Sequence, residues 1–128
     1  VALEELEGIA KAIYFESLSR DLGPSRLKRI STQEGTLLMS GLLSRKEISI
    51  ADCWASEDAE LQEHLHDSEI FYLVYDGEMR IRIKGAWVTL RNGQLFKLDA
   101  RTKHSVRWTK ETRFISIAVP RGKGFPNV

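Results

Sequence analysis

From residue 35 onward the chain breaks into short runs of apolar and polar residues, each closed by turn-forming residues. They read "GTLLMSGLL", "EISIADCWA", "IFYLVY", "MRIRIKG", "WVTL", "QLFKL", "HSVRW" and "RFISIAV". Eight candidate strands spaced by about 8–12 residues predict an all-β antiparallel sandwich or barrel. The breakers agree with that division, since Asp76-Gly77, Lys84-Gly85 and Asn92-Gly93 fall between successive runs, where hairpin turns need them. In "MRIRIKG" alternation puts Met79, Ile81 and Ile83 on one face and Arg80, Arg82 and Lys84 on the other, so one side of this strand is wet. "IFYLVY" is apolar on both faces. It lies between two layers or turns its outer face to another subunit, and the second option is the basis for expecting a homodimer.

Upstream the period changes. "ALEELEGIAKAIYFESLSRDLG" carries Leu3, Leu6, Ile9 and Ile13 at three- and four-residue spacing, with acids early and Gly23-Pro24 as a stop. This predicts an amphipathic α-helix over residues 1–23, followed by a β-barrel over 24–128 that ends in a short C-terminal tail. The helix needs a surface to pack on, either the main body or a partner subunit. A linker from an upstream regulatory domain is the other reading, and a start at Val1 leaves room for native residues ahead of it.

Composition narrows the picture only moderately. A chain of 128 residues fits one domain that buries roughly two-thirds of its unfolded surface. Its 19 basic and 18 acidic residues leave a formal charge of +1, so no nucleic-acid partner is expected. The longest wholly apolar run, Ile70 to Tyr75, is far short of the roughly 20 residues that cross a bilayer, so no membrane partner is expected either. The acidic N-terminus does not look like a secretory signal, and the single cysteine, Cys53, excludes an internal disulfide. A cytoplasmic protein is the expectation.

The candidate chemistry lies in "EHLHDSEIFYLVYDGE", residues 63 to 78. His64 and His66, at i and i+2, point to the same side of an extended strand with Cα atoms about 7 Å apart, a spacing that suits two ligands on one cation. His104 opens another run, in which His104, Val106 and Trp108 share a face. These are the chain's three histidines. By itself an H-x-H pair is often plain polar surface.

The wider frame resembles the cupin superfamily, in which one half-motif carries H-x-H, then a glutamate, then glycine, and a second carries glycine, P-x-G and a further histidine. Here His64 and His66 match the H-x-H and Gly77 the closing glycine, and 15 residues, Glu78 to Asn92, lead to Gly93. "GQLFKLDARTKH" then reproduces the second half, with Asp99 and Arg101 where proline and glycine are usual and His104 at the ligand position. The similarity spans roughly residues 35 to 120. It implies a double-stranded β-helix, the cupin jelly-roll barrel, with a divalent transition metal (Fe, Mn, Ni or Zn) held by His64, His66 and His104.

The departures bear on the fourth ligand. With six residues left before Gly77, the glutamate position falls on Ile70, and Glu69 is the carboxylate within reach. A one-residue slip reverses the face of a strand, so Glu69 ligates only if a bulge or the corner after His66 absorbs the extra residue. The rival is a three-histidine site. Asp58 stands where the first half-motif usually begins with glycine.

Within such a barrel, strand parity points Val106 and Trp108 inward, and Trp54, Tyr72 and Phe96 are candidates to line a small-molecule pocket more aromatic than polar. Arg80, Arg82, Arg101, Lys103 and Arg107 could ring its mouth and attract an anionic ligand. Two functions stay open: a metal-dependent dioxygenase, isomerase or lyase acting on a small anionic metabolite, and a non-catalytic binding or sensory barrel whose metal is structural or absent. Fold alone does not choose between them.

Overall fold

The structure is a computed structural model that describes residues 27–31 and 35–123; the N-terminal helix expected over 1–23 lies outside them. Ten strands follow in chain order: β1 Leu27–Ser31, β2 Thr36–Arg45, β3 Ile48–Ala55, β4 Glu60–His64, β5 Glu69–Asp76, β6 Glu78–Ile83, β7 Ala86–Arg91, β8 Leu95–Leu98, β9 His104–Arg107 and β10 Thr112–Val119. A six-stranded sheet has the order β1-β2-β3-β10-β5-β8, and a four-stranded sheet has the order β4-β9-β6-β7. Every described pairing is antiparallel. This is the all-β jelly-roll architecture that the sequence implies. No helix among the described residues is long and apolar enough to cross a membrane.

Alternation along the strands builds the core. From the six-stranded sheet, Ala51, Cys53, Ala55, Ile70, Tyr72, Val74, Phe114 and Ala118 meet Met79, Ile81, Leu90 and Val106 of the other sheet, with Trp108 beside them. Ile81 and Trp108 are 0% exposed, and a fully buried side chain of this kind contributes about 2 kcal/mol through removal of apolar surface from water. The intervening residues of the same strands, Ile50, Phe71, Leu73, Ile115 and Ile117, form a second apolar cluster with Leu42 on the opposite face of the six-stranded sheet. β5 is therefore buried on both faces, as its unbroken apolar run requires. β6 instead alternates buried Met79 and Ile81 with exposed Arg80 and Arg82.

The turns carry the chemistry that their residues suggest. Lys84 and Gly85, at φ of 50° and 79°, join β6 to β7 with left-handed backbone at both central positions, the type I′ arrangement that matches strand twist. Gly77 links β5 in one sheet to β6 in the other at φ 114°. Its N–H donates to Asn92 Oδ1 at 2.9 Å, and the N–H of Gly93 donates to the Val74 carbonyl at 2.8 Å, so two turns brace each other. The buried Thr112 hydroxyl lies 2.9 Å from the Glu78 carbonyl and accepts the Glu78 N–H at 3.1 Å, pinning β10 to β6.

A Cβ at Gly77 would sit 2.5 Å from Thr112 Oγ1 and 2.8 Å from the Glu111 carbonyl oxygen, whereas one at Gly85 would meet open space. Gly77→Ala should destabilise the fold by on the order of 2–3 kcal/mol, from backbone strain and displacement of Thr112 together. Gly85→Asn should change it by at most about 1 kcal/mol, because asparagine tolerates the left-handed region. Urea denaturation midpoints compare the two; equal losses would disprove this account of the Gly77 corner.

Candidate metal centre

Strand pairing assembles the histidines. His64 ends β4, His104 begins β9, and the two are direct cross-strand partners in the four-stranded sheet. A register irregularity between Leu61 and His64 inserts one extra residue into β4 and so puts His64 opposite His104, and His66 follows two residues on, with exposed Leu65 between them. Ring centroids lie 4.3 Å apart for His64 and His104, 4.8 Å for His64 and His66, and 5.3 Å for His66 and His104. One ligand-capable atom from each ring falls within 4.8 Å of the other two. A backbone hydrogen bond of 2.6 Å from the Arg101 N–H to the His66 carbonyl ties the loop ahead of β9 to the residue after β4.

Two rings are oriented by the chain itself. Nδ1 of His64 is 2.7 Å from the Gln62 carbonyl, and Nδ1 of His104 is 2.8 Å from the Thr102 carbonyl. A carbonyl only accepts, so each Nδ1 carries the proton and each Nε2 keeps its lone pair, the tautomer that a metal needs. His104 is 1% exposed and its buried Nε2 has no hydrogen-bond partner among the described residues. A polar atom orphaned in a core calls for a ligand that completes it, and a cation between the three rings fits. Burial, then the neighbouring His64 and His104, lower the His66 pKa to about 4, and burial is the leading cause that lowers that of His104. Both therefore stay neutral near pH 7, in the ligating form.

His64 and His66 open onto a cavity of about 450 Å³ between the sheets. Its walls include Leu37, Met39, Cys53, Ile70, Tyr72, Met79, Val106, Trp108 and Phe114, with Gln62, Glu63 and Lys123 also on the lining. Val106 and Trp108 thus face inward, as parity implies, and Tyr72 lines the cavity with them. Phe96, opposite Tyr72 on β8, packs against the core cluster without lining the cavity. Trp54 is on the wrong face. Its neighbour Cys53 points inward, so Trp54 turns out and donates from Nε1 to Glu111 Oε1 at 2.8 Å.

Glu69 is not brought to the triad either. β5 pairs with β8 in unbroken register from Ile70 to Leu73, which keeps Ile70 facing the cavity and Glu69 facing away, 3.4 Å from Lys97 Nζ. The extra residue before Gly77 is absorbed later, where the β10 register jumps from Val74 to Asp76 and leaves Tyr75 as the bulge. The donors converging here are three imidazoles. The expected ring of cations is also elsewhere: Arg82, Arg101, Lys103 and Arg107 line a separate groove with Trp87, and Arg80 pairs with Glu78 at 3.7 Å. Leu37, Met39, Cys53 and Phe114 were not anticipated as lining, because β2, β3 and β10 are apolar on both faces and their parity alone does not say which face is inner.

Residues 55–119, half of the chain, match the family model described as Cupin domain. The chain belongs to the cupin family. This cupin is similar in fold to the EutQ protein of Clostridium difficile, at 16% identity and a TM-score of 0.69, over 82% of this chain and 84% of that one. It is similar also to an RmlC-like cupin from Shewanella frigidimarina, at 19% identity and a TM-score of 0.68, over 84% and 96% of the two chains. A Thermotoga maritima protein described as a predicted oxalate decarboxylase gives 21% identity and a TM-score of 0.66 over 78% and 96%. No curated protein matches the sequence.

The two departures from the cupin glycines prove instructive. Asp58 and Arg101 both hold left-handed backbone, at φ of 66° and 60°. The fold demands the glycine conformation even where the side chain is not glycine. Aspartate adopts it readily, while arginine is strained there by about 1 kcal/mol. Arg101 gains little in exchange: its 3.5 Å contact with Asp67 is exposed, and such pairs are worth well under about 1 kcal/mol. Arg101→Gly should therefore raise the urea midpoint by an amount equivalent to about 0.5–1 kcal/mol. Any decrease would show that the side chain matters more than its backbone.

The lowered His66 pKa has a measurable sign in metal-free protein. The unfolded chain takes up this proton below about 6.5, the folded one only below about 4, so between those values the unfolded state binds more protons. Stability should fall as pH drops through that window, and thermal midpoints of chelator-treated protein should fall more steeply than those of His66→Gln. Parallel curves would rule this out.

Proposed function

We propose that this cupin holds one first-row divalent metal on His64, His66 and His104, and that a small molecule coordinates it from the cavity, as in a dioxygenase, isomerase or lyase. The observation that carries this reading is the convergence of three ligand-capable nitrogens within 4.8 Å beside an open cavity, one of them a buried Nε2 without a partner among the described residues. Imidazoles suit iron, nickel and zinc, and manganese is compatible. When bound, such an ion supplies Lewis acidity at a substrate oxygen.

The chain's own groups then orient and shield. Burial raises the pKa of the Tyr72 hydroxyl and pushes the Cys53 thiol well up, so both remain protonated near pH 7 and serve as weak donors rather than bases. Glu63 is the carboxylate among the described lining residues. That scarcity of proton-transfer groups favours chemistry driven by the ion itself. It equally supports a second reading, a binding or sensory cupin in which coordination alone captures the ligand.

Chelator-treated protein given zinc, iron, nickel or manganese should retain one equivalent by elemental analysis. At a free metal concentration of about 100 times Kd, its stability should rise by about 2.7 kcal/mol. His66→Ala and His104→Ala should each weaken binding by at least about 100-fold, more than loss of an outer-shell partner. Glu69→Gln should leave stoichiometry unchanged. Absence of stoichiometric metal in the native protein would overturn the proposal, and turnover by loaded protein separates the enzyme from the binding reading.

A further inference from the structure

The ligand's chemical class can be argued from the charges that the cavity lacks. We infer that the cavity takes compounds with an apolar body and a single acidic oxygen-bearing head, such as a monocarboxylate, phenol or enol, rather than compact dianions. This inference rests on the metal reading above. Three imidazole ligands bring no negative charge to a divalent ion, the lining carboxylate of Glu63 is exposed, and Ile70 occupies the inward position where a carboxylate ligand would have offset part of the ion's charge. A ligand that brings one negative oxygen to the ion is favoured, because opposite charges attract strongly in a site of low dielectric.

Beyond that first charge the walls reverse the preference. Leu37, Met39, Ile70, Met79, Val106 and Phe114 offer only apolar surface, and Tyr72 and Cys53 stay uncharged. Lys123 is the cation among the described lining residues, and its Nζ already lies 3.1 Å from Asp67 Oδ2. Arg82, Lys103 and Arg107 are on the outward groove of the four-stranded sheet, so they cannot neutralise a second charge within the cavity. A second carboxylate would be desolvated without a partner, whereas each methylene of an alkyl tail is stabilised by leaving water.

Cobalt(II) loaded into the chelator-treated full chain reports both steps through its visible absorption. Binding of the metal alone tests the triad, and a further spectral change on titration with acetate, butanoate, pentanoate and hexanoate tests the ligand class. Affinity should rise by about fourfold per added methylene. Glutarate, with the carbon number of pentanoate and a second charge, should bind at least about tenfold more weakly than pentanoate. Ser116→Leu, which adds bulk to the lining opposite Tyr72, should cut hexanoate affinity by at least about tenfold, with the cobalt spectrum showing that the triad is intact. A flat series, or glutarate equal to pentanoate on cobalt-loaded protein, would overturn the inference while sparing the metal site. Failure of cobalt to bind would remove both.

Discussion

Antiparallel pairing of β4 with β9 sets His64 directly across from His104, and the rest of the site depends on that register. A slip of one residue would turn one imidazole to the opposite face of its strand. Two backbone features hold the arrangement: the extra residue that β4 takes in between Leu61 and His64, which puts His64 in register with His104, and the Arg101 N–H bonded to the His66 carbonyl. The second is the more informative. It joins the two half-motifs through main-chain atoms, so the third imidazole is placed by the loop that leads to β9 rather than by its own packing. Asp58 and Arg101 hold left-handed backbone in a chain that lacks glycine at either place, because the corner geometry is set by the turn and not by the side chain.

Burial and hydrogen bonding then prepare the nitrogens. Carbonyls of Gln62 and Thr102 fix the Nδ1 protons of two rings, and desolvation keeps His66 and His104 neutral. In the absence of an ion this is a costly arrangement: a buried Nε2 without a partner is exposed to the full desolvation penalty of about 1–3 kcal/mol. A bound cation would remove the penalty, so stability and metal affinity share one source.

Much of this was legible from two-residue periodicity and turn residues. All eight runs marked as strands are strands, and the three dipeptide breakers each carry a positive-φ glycine. β4 escaped notice because "ELQEH" has one apolar residue and an irregular register, so alternation gives no signal. β1, "LKRIS", is too short to stand out beside a helical pattern. The histidines could be grouped because spacing between half-motifs survives as a sequence property. Glu69 and Trp54 could not be placed the same way. Both sit on strands that are apolar on each face, where the inward set is decided by register against β8 and β10, and a bulge at Tyr75 rather than near His66 settles Glu69 outward.

The same alternation separates charge from cavity. Met79, Ile81 and Val106 face inward from β6 and β9, which forces Arg80, Arg82 and Arg107 to the outside of the four-stranded sheet. A strand cannot supply both an apolar wall and an inward cation from adjacent positions. Inward charge in this barrel has to come from strand ends and loops, and those positions hold histidines, Glu63 and the already paired Lys123. Charge on the lining is therefore confined to the histidine end and these loop residues, and the remaining walls are largely apolar. A cation held by the histidines would leave that one charged end and apolar fit along the remaining walls to select a ligand.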